Sequence, residues 1–278
     1  MNLLKRNPRK ALIFGLYILV TVLSLFFYLS LPALITAYAL LTLILLAVFR
    51  VDAVSVLGNI YYGRGDKERA GKLFEYAISR NTKSPAAHLH YAVMLLRKGE
   101  AEKASTILDK ALGLNVKPLT VKNIRLVKGS CLWAMGETDA AVAHLEKMRG
   151  DYEYVNAQVL STLGFLYFAK GDDEKAEALS LAAIDDTPST AAAWDNLGQI
   201  YYKKNDLPKA REAFEKAIEH KPDLPDSLYF LGLIAKQSDS ENALNTANDF
   251  FSRALACEIT PLNTVTRAQI EKELTPSL

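Results

Sequence analysis

The sequence has few of the residues that hold together small extracellular domains or metal centres. Among 278 residues only two are cysteines, Cys131 and Cys257, and their wide separation fits no metal-binding or redox spacing. With 14 residues, glycine is too sparse for a collagen-like chain. We therefore expect two buried free thiols, which behave as small hydrophobic side chains, and no metal site.

Signals of catalysis and of nucleic-acid binding are also missing. Of the four histidines, His88 and His90 lie two positions apart, so that a helix directs them to different sides. No glycine-rich phosphate loop follows a strand pattern. The formal net charge is only +2, which provides no broad positive field. The sequence therefore predicts no enzyme, no cofactor, no small-molecule substrate and no nucleic-acid partner.

Charge is absent from one long segment, residues 11–49. A single helix of that length would extend for roughly 58 Å, about twice the hydrocarbon thickness of a bilayer. Pro32 interrupts the run, and Ser30 before it is a suitable helix-capping residue. The pattern therefore predicts a transmembrane helical hairpin of two spans, about 11–29 and 33–49.

Two other interpretations of this apolar run remain open. Residues 37–39 have the small-x-small form of a signal-peptide cleavage site, although the apolar stretch before them is longer than in most signal peptides. A hairpin that dips into one leaflet without crossing it would leave both ends on one side, as a spanning hairpin does.

The basic residues around the run predict that side. The first fifty residues contain no acidic residue, and their basic residues are Lys5, Arg6, Arg9, Lys10 and Arg50. The positive-inside rule then predicts an integral membrane protein with a basic N-terminus, 1–10, and both termini in the cytoplasm. The membrane would be the plasma membrane if the protein is bacterial, and the lipid bilayer would itself be a partner through residues 11–49.

A repeat with a period near 34 residues begins at residue 51. Its first mark is a series of small residues at steps of 34 to 37, namely Gly58, Ala92, Gly129, Gly164, Gly198 and Gly232. A series of alanines follows twelve residues behind, and a bulky series follows four residues later, with Ser180 as an exception. Three series linked at one offset indicate a stack of repeated units.

Each unit has the pattern of two helices joined by a tight turn. Apolar residues recur at helical spacing, and Gly or Asn stands where each first helix should stop, because these residues adopt the left-handed conformation at low cost. Acidic residues follow, and we expect the aspartates among them, Asp66, Asp172 and Asp206, to cap the next helix. No Gly or Pro lies between Pro32 and Gly58, which leaves open whether the apolar helix continues into the first repeat.

These markers resemble the tetratricopeptide repeat (TPR) family. The copy at 191–224 carries the pattern most fully, with Trp194, Leu197, Gly198, Tyr201, Ala210, Phe214, Ala217 and Pro222. The resemblance implies an all-α fold, a TPR solenoid of about six helix pairs over 51–261, followed by a capping helix and tail, 262–278. Its repeats would cover about 51–84, 85–118, 122–155, 157–190, 191–224 and 225–261.

Two details of the pattern concern individual copies. The copy at 122–155 departs furthest from the family, because Arg125 and Lys128 occupy positions that are usually large and apolar. At the C-terminal end, Thr266 and Gln269 have the spacing of a capping box, which predicts a final helix there.

In the TPR family the first helix of each repeat lines a concave groove that holds peptides or helices. The resemblance therefore implies a protein-binding groove whose candidate residues are Asn59, Tyr62, Leu126, Trp133, Phe165, Phe168, Asp195, Gln199, Tyr202 and Tyr229. Aromatic anchors with scattered polar groups suit an apolar or amphipathic protein segment. The alternative is that several of these rings pack between repeats.

The sequence as a whole predicts a membrane-anchored TPR scaffold or adaptor that binds partner proteins through its groove without catalysis. The alternative is a transient assembly factor, chaperone-like protein or protease adaptor acting on membrane-protein clients. Family members that bind a C-terminal carboxylate use a cluster of Lys, Arg and Asn. Here the matching basic positions carry other residues, among them Ser55, Ser161 and Asp226, so we do not expect that charge-assisted recognition.

Overall fold

The computed structural model describes residues 15–23, 30–152, 155–238 and 241–274, and within 45–49 the backbone alone. These residues form helices and connecting turns, with no strand among them, which confirms the predicted all-α class. The chain divides into two compact units, 1–87 and 88–278. The predicted basic N-terminus, 1–10, lies outside the described residues.

The first unit is built on a helix pair preceded by a further helix. Tyr17 in the first helix stacks on Tyr38 in the second with ring centroids 5.9 Å apart, and the Thr21 hydroxyl lies 2.6 Å from that of Tyr38. The second and third helices enclose Phe74, which is fully buried. The described helices of this unit are α1 (15–23), α2 (Leu31–Gly63) and α3 (Lys67–Ser79).

The predicted membrane localisation is wrong. Among the helices of the described residues, none is long and apolar enough to cross a membrane. The predicted second span, 33–49, is not a helix of its own, because α2 continues through Arg50 and Asp52 to Gly63 and pairs with α3. Part of the predicted first span, 11–29, lies outside the described residues. The transmembrane hairpin, the bilayer as a partner and the two-span topology are therefore withdrawn. The continuity of this helix with the first repeat, which the sequence left open, is present in α2.

The second unit is a solenoid of five helix pairs and a terminal helix among the described residues. The boundary between the units falls within the first turn of α4. Each pair consists of a first and a second helix joined by a short turn, which confirms the predicted TPR-like architecture. The helices are α4 (Pro85–Arg97), α5 (Ala101–Leu112), α6 (Pro118–Ala134), α7 (Thr138–Asp151), α8 (Ala157–Ala169), α9 (Asp173–Asp186), α10 (Ala191–Lys203), α11 (Leu207–His220), α12 (Pro225–Lys236), α13 (Ala243–Ala256) and α14 (Arg267–Glu273).

The turns within the pairs have the conformation that their residues predict. The backbone φ angle is positive where first helices end, for example +81° at Gly65 and +59° at Asn205, a region that favours Gly and Asn. The carboxylates of Asp66, Asp172 and Asp206 each accept a hydrogen bond from the backbone N–H three residues later, at 3.1, 3.2 and 3.3 Å. The predicted aspartate caps are confirmed.

Residues of the small series and of the bulky series contact each other within a helix pair. A β-carbon on Gly198 would lie 2.5 Å from ring carbons of Phe214, so only glycine permits this approach of α10 and α11. Gly232 faces Phe251 in the same way in the last pair. Both phenylalanines are fully buried, so in these two pairs a large side chain packs directly against the bare backbone of the facing helix.

In the divergent copy at 122–155, the two unusual basic residues form ion pairs with aspartates. Arg125 forms a 2.9 Å ion pair with Asp151, and Lys128 pairs with Asp109. Such partly exposed pairs satisfy the charges without requiring an apolar replacement.

Candidate functional site

The first helices of four successive pairs in the second unit are α6, α8, α10 and α12, here called the inner helices. They line a cavity of about 330 Å³, which we name cavity A. Trp133 and Phe165 form its aromatic wall, with ring centroids 4.8 Å apart in an edge-to-face arrangement at 80°. Leu224 and Leu262 add aliphatic surface, and Asp195 is an acidic residue of the lining. The cavity therefore combines apolar walls with a few polar groups, as ligand pockets commonly do.

Hydrogen bonds fix the polar groups of cavity A. The carboxylate of Asp195 accepts a 2.7 Å bond from Nε2 of Gln199 and another from the hydroxyl of Ser227. The side-chain amide of Asn196 donates to the backbone oxygen of Ser161 at 2.8 Å, which joins α10 to α8. These bonds hold the polar side chains in set orientations rather than leaving them to rotate freely.

Part of the cavity wall comes from the irregular segment between α13 and α14, here named the C-terminal loop (257–266). Its link to the groove is Asp226, a buried residue in the first turn of α12. This carboxylate accepts bonds from the backbone N–H groups of Thr264 and Val265 at 2.7 and 2.9 Å. It also accepts from the Thr264 hydroxyl at 2.6 Å and from the Asn263 amide at 2.5 Å. The loop thus supplies all four donors that Asp226 receives among the described residues.

The two aspartates give cavity A a negative character. Burial raises the pKa of Asp195, and the neighbouring Asp226 raises it further because two like charges in a poorly hydrated site disfavour each other. The bonds from Ser227 and Gln199 act in the opposite direction, as does the more distant charge of Lys221.

A second cavity of about 390 Å³, cavity B, lies farther along the same inner helices. Phe168, Tyr202 and Tyr229 line it, and the ammonium group of Lys203 lies 5.4 Å from the centroid of the Phe168 ring. Gln199 contributes to both cavities. The two cavities are therefore neighbours on one face of the solenoid.

The predicted groove residues separate into three groups. The largest group lines the two cavities and consists of Trp133, Phe165, Phe168, Asp195, Gln199, Tyr202 and Tyr229. Leu126 is 6% exposed and packs in an apolar cluster with Met148 and Val159. Asn59 and Tyr62 belong to the first unit, where the ring of Tyr62 lies 6.2 Å from that of Phe74.

Sequence reasoning missed the contribution of Asp226 and of the C-terminal loop. An acidic residue in the first turn of a helix is ordinarily explained by the helix dipole, so Asp226 carried no special signal. Asn263 and Thr264 lie 37 and 38 residues farther along the chain, in a segment outside the repeat period. No pattern in the sequence links them to Asp226.

Family models described as tetratricopeptide repeat match residues 61–119, 124–147 and 191–224. A TPR repeat-containing protein of Methanocaldococcus jannaschii is 25% identical over 167 residues, which is 58% of this chain and 30% of that protein. A chloroplastic tetratricopeptide repeat domain-containing protein of Arabidopsis thaliana is 36% identical over 78 residues, 28% of this chain and 26% of that protein. The chain thus spans less than a third of the length of these curated relatives.

Solved structures share the fold at low sequence identity. The crystal structure of the APC/C hetero-tetramer Cut9–Hcn1 has a TM-score of 0.63 at 18% identity, over 81% of this chain and 42% of that chain. A tetratricopeptide repeat protein from Parabacteroides merdae also has a TM-score of 0.63, at 16% identity, over 81% of this chain and 83% of that chain. Identities this low show a common fold and nothing finer.

Proposed function

We propose that the chain, three segments of which match tetratricopeptide repeat models, is a scaffold or adaptor whose second unit binds a segment of a partner protein. Proteins of this family act as protein-interaction scaffolds, and the finer assignment to this groove is our proposal. The observation that carries it is the pair of adjacent cavities on the inner helices, lined by side chains of four successive repeats.

The side chains of these cavities are suited to anchoring a protein segment. Trp133, Phe165, Phe168 and Tyr202 are only partly buried, so each presents ring surface that a partner can cover. Aromatic rings contribute most to protein–protein binding when they become fully desolvated. Two cavities that share Gln199 in their lining suit an apolar or amphipathic segment that places one side chain in each.

The proposed role requires no chemistry from the chain itself. A scaffold acts by holding two partners together, which raises their effective concentration without any new reaction. The groove would provide one attachment, and other surfaces of the same chain or of a longer protein would provide the next.

Site-specific crosslinking in the native host tests this function. A photoreactive phenylalanine analogue at Tyr202 should crosslink to one or a few proteins, whereas the same group at the outer-surface residue Leu181 should not. The partner identified in this way is then purified and titrated with the full chain. Its stoichiometry distinguishes a stable scaffold from a factor that binds transiently.

Removing the aromatic wall should then weaken binding of that partner. We expect the Trp133→Ala, Phe165→Ala double variant to lose at least about tenfold in affinity, since anchor aromatics typically contribute 1 kcal/mol or more each. Leu181→Ala, which removes an exposed apolar side chain from outer helix α9, is the matched control and should bind normally. Circular dichroism confirms that both variants remain helical. An unchanged affinity of the double variant would refute the assignment of the groove.

A further inference from the structure

Cavity A differs from cavity B in having a carboxylate set into an aromatic and aliphatic wall. Asp195 is half-buried and receives two hydrogen bonds among the described residues, from Gln199 and Ser227. An ionised carboxylate has about four lone-pair sites. Asp195 therefore has capacity for further donors on the side that lines the cavity, whereas Asp226 already accepts four bonds from the C-terminal loop.

The charges around cavity A favour a cation over a neutral group. Two aspartates, Asp195 and Asp226, line it together with one basic residue, Lys221. A partner segment that covered the cavity with an apolar side chain would strip water from Asp195 without replacing its hydrogen bonds, which is unfavourable. A guanidinium or ammonium group would replace that water with charge-assisted hydrogen bonds.

The walls complement such a side chain along its length. Trp133 and Phe165 present ring surface to the cavity, and aromatic faces attract cations and also pack against the methylene groups of Lys and Arg. A volume of about 330 Å³ lies at the small end of ligand pockets. It suits one long side chain better than a whole helix.

We propose that cavity A binds an arginine or lysine side chain of the partner segment, with its charged end on Asp195 and its stem against Trp133 and Phe165. This proposal rests on the proposed function and adds the chemistry of the partner at one position. It also predicts proton release on binding, because the cation favours the ionised form of Asp195 and its pKa in the free protein is raised. Asp226 and Lys221 are the other charged groups of the cavity.

Two small probes of nearly the same shape, one cationic and one neutral, test the proposal on the full chain. N-acetyl-arginine amide and its neutral isostere N-acetyl-citrulline amide are titrated while the fluorescence of Trp133 is followed in a Trp194→Phe background. We expect the arginine probe to bind at least about tenfold more tightly, as one charge-assisted contact implies. Its affinity should fall when the pH is lowered from about 8 to about 5, as protons compete for Asp195.

The matched variants locate the effect. Asp195→Asn preserves the shape of the side chain and should remove both the preference for arginine and its pH dependence. Asp249→Asn removes an exposed carboxylate from α13, outside cavity A, and should change neither. Equal binding of the two probes, no binding of either, or a preference that survives Asp195→Asn would each overturn the proposal. If the crosslinked partner still requires the aromatic wall in that case, the groove function stands and only the cation assignment fails.

Discussion

Asp195 and Asp226 are acidic residues on neighbouring inner helices, and their carboxylates receive different numbers of hydrogen bonds. The C-terminal loop gives Asp226 four hydrogen-bond donors, which compensates the cost of burying its charge. Asp195 receives only two. Burial raises its pKa on folding, and the charge of Asp226 raises it further, whereas the two hydrogen bonds act in the opposite direction. The fold therefore tolerates a charge on Asp195 at a cost, a situation more common at binding sites than in structural cores.

This cost makes the stability of the protein dependent on pH in a definite direction. A carboxyl group with a raised pKa in the folded state retains its proton when the unfolded chain has already released it, so stability is lost as the pH rises from the ordinary value of about 4 toward the raised pKa. Asn at position 195 cannot ionise. We therefore expect the free energy of unfolding of Asp195→Asn, relative to wild type, to increase by about 1 kcal/mol or more between pH 4 and pH 8.

Urea denaturation at several pH values measures this difference. Asp249→Asn again serves as the control, since Asp249 is exposed and lies within α13, and its difference from wild type should stay nearly constant. A constant offset for Asp195→Asn over the same range would contradict the prediction.

The small marker residues set the distance between the two helices of a pair. Gly198 lies against the ring of Phe214, and a β-carbon there would require α10 and α11 to separate. Overpacking of a close-packed core costs roughly 1 to 3 kcal/mol. We expect Gly198→Ala to lower the free energy of unfolding by that amount, measured by urea denaturation followed by circular dichroism.

Another helical glycine provides the control for this substitution. Gly150 lies near the end of α7, with no heavy atom within 4 Å of the position of a β-carbon. Gly150→Ala should leave stability unchanged or raise it by roughly 0.5 to 1 kcal/mol, because alanine has the higher helix propensity. A Gly198→Ala variant as stable as Gly150→Ala would show that the helix pair can relax around the extra carbon.

The helix pairs were predictable because a contact between a small and a bulky residue recurs along the chain at nearly constant spacing. Gly198 with Phe214 and Gly232 with Phe251 use one offset, or nearly one, so the period is visible in the sequence. The approach of Asp226 to Thr264 has no such offset, since it occurs once, through an irregular loop. The inner-face aromatics followed from the family resemblance, but their grouping into two cavities depends on rotamers and helix angles that the sequence does not encode as a pattern.

For the apolar N-terminal run, residues 11–49, the prediction from the sequence was wrong. Its composition suggested two separate spans, and the sequence left open whether the second span would continue into the first repeat. In the structure, α2 extends over 33 residues and its last turns form the first helix pair with α3. A long apolar stretch therefore did not define an element boundary in this chain.

The second unit departs from a simple linear stack when it is considered as a whole. In solenoids each repeat contacts its neighbours only, and stability is nearly a sum of local terms. Here the guanidinium of Arg97, at the end of α4, makes two bonds of 3.0 and 3.1 Å to Glu258 in the C-terminal loop. Pro261 of the same loop lies next to Gly99. The loop therefore joins the second repeat to the last one as well as lining cavity A.

This closure should couple the dynamics of two segments that are 161 residues apart. We expect Glu258→Gln to accelerate amide hydrogen exchange at the end of α4 as well as in the C-terminal loop, because both sides lose the bidentate pair. The loss in global stability should be small, roughly 0.2 to 1 kcal/mol, since both side chains are partly exposed. Glu271→Gln disrupts a local ion pair with Arg267 inside α14 and should leave exchange in α4 unchanged. If Glu258→Gln also leaves α4 unaffected, the contact does not transmit stability and the second unit behaves as a linear stack.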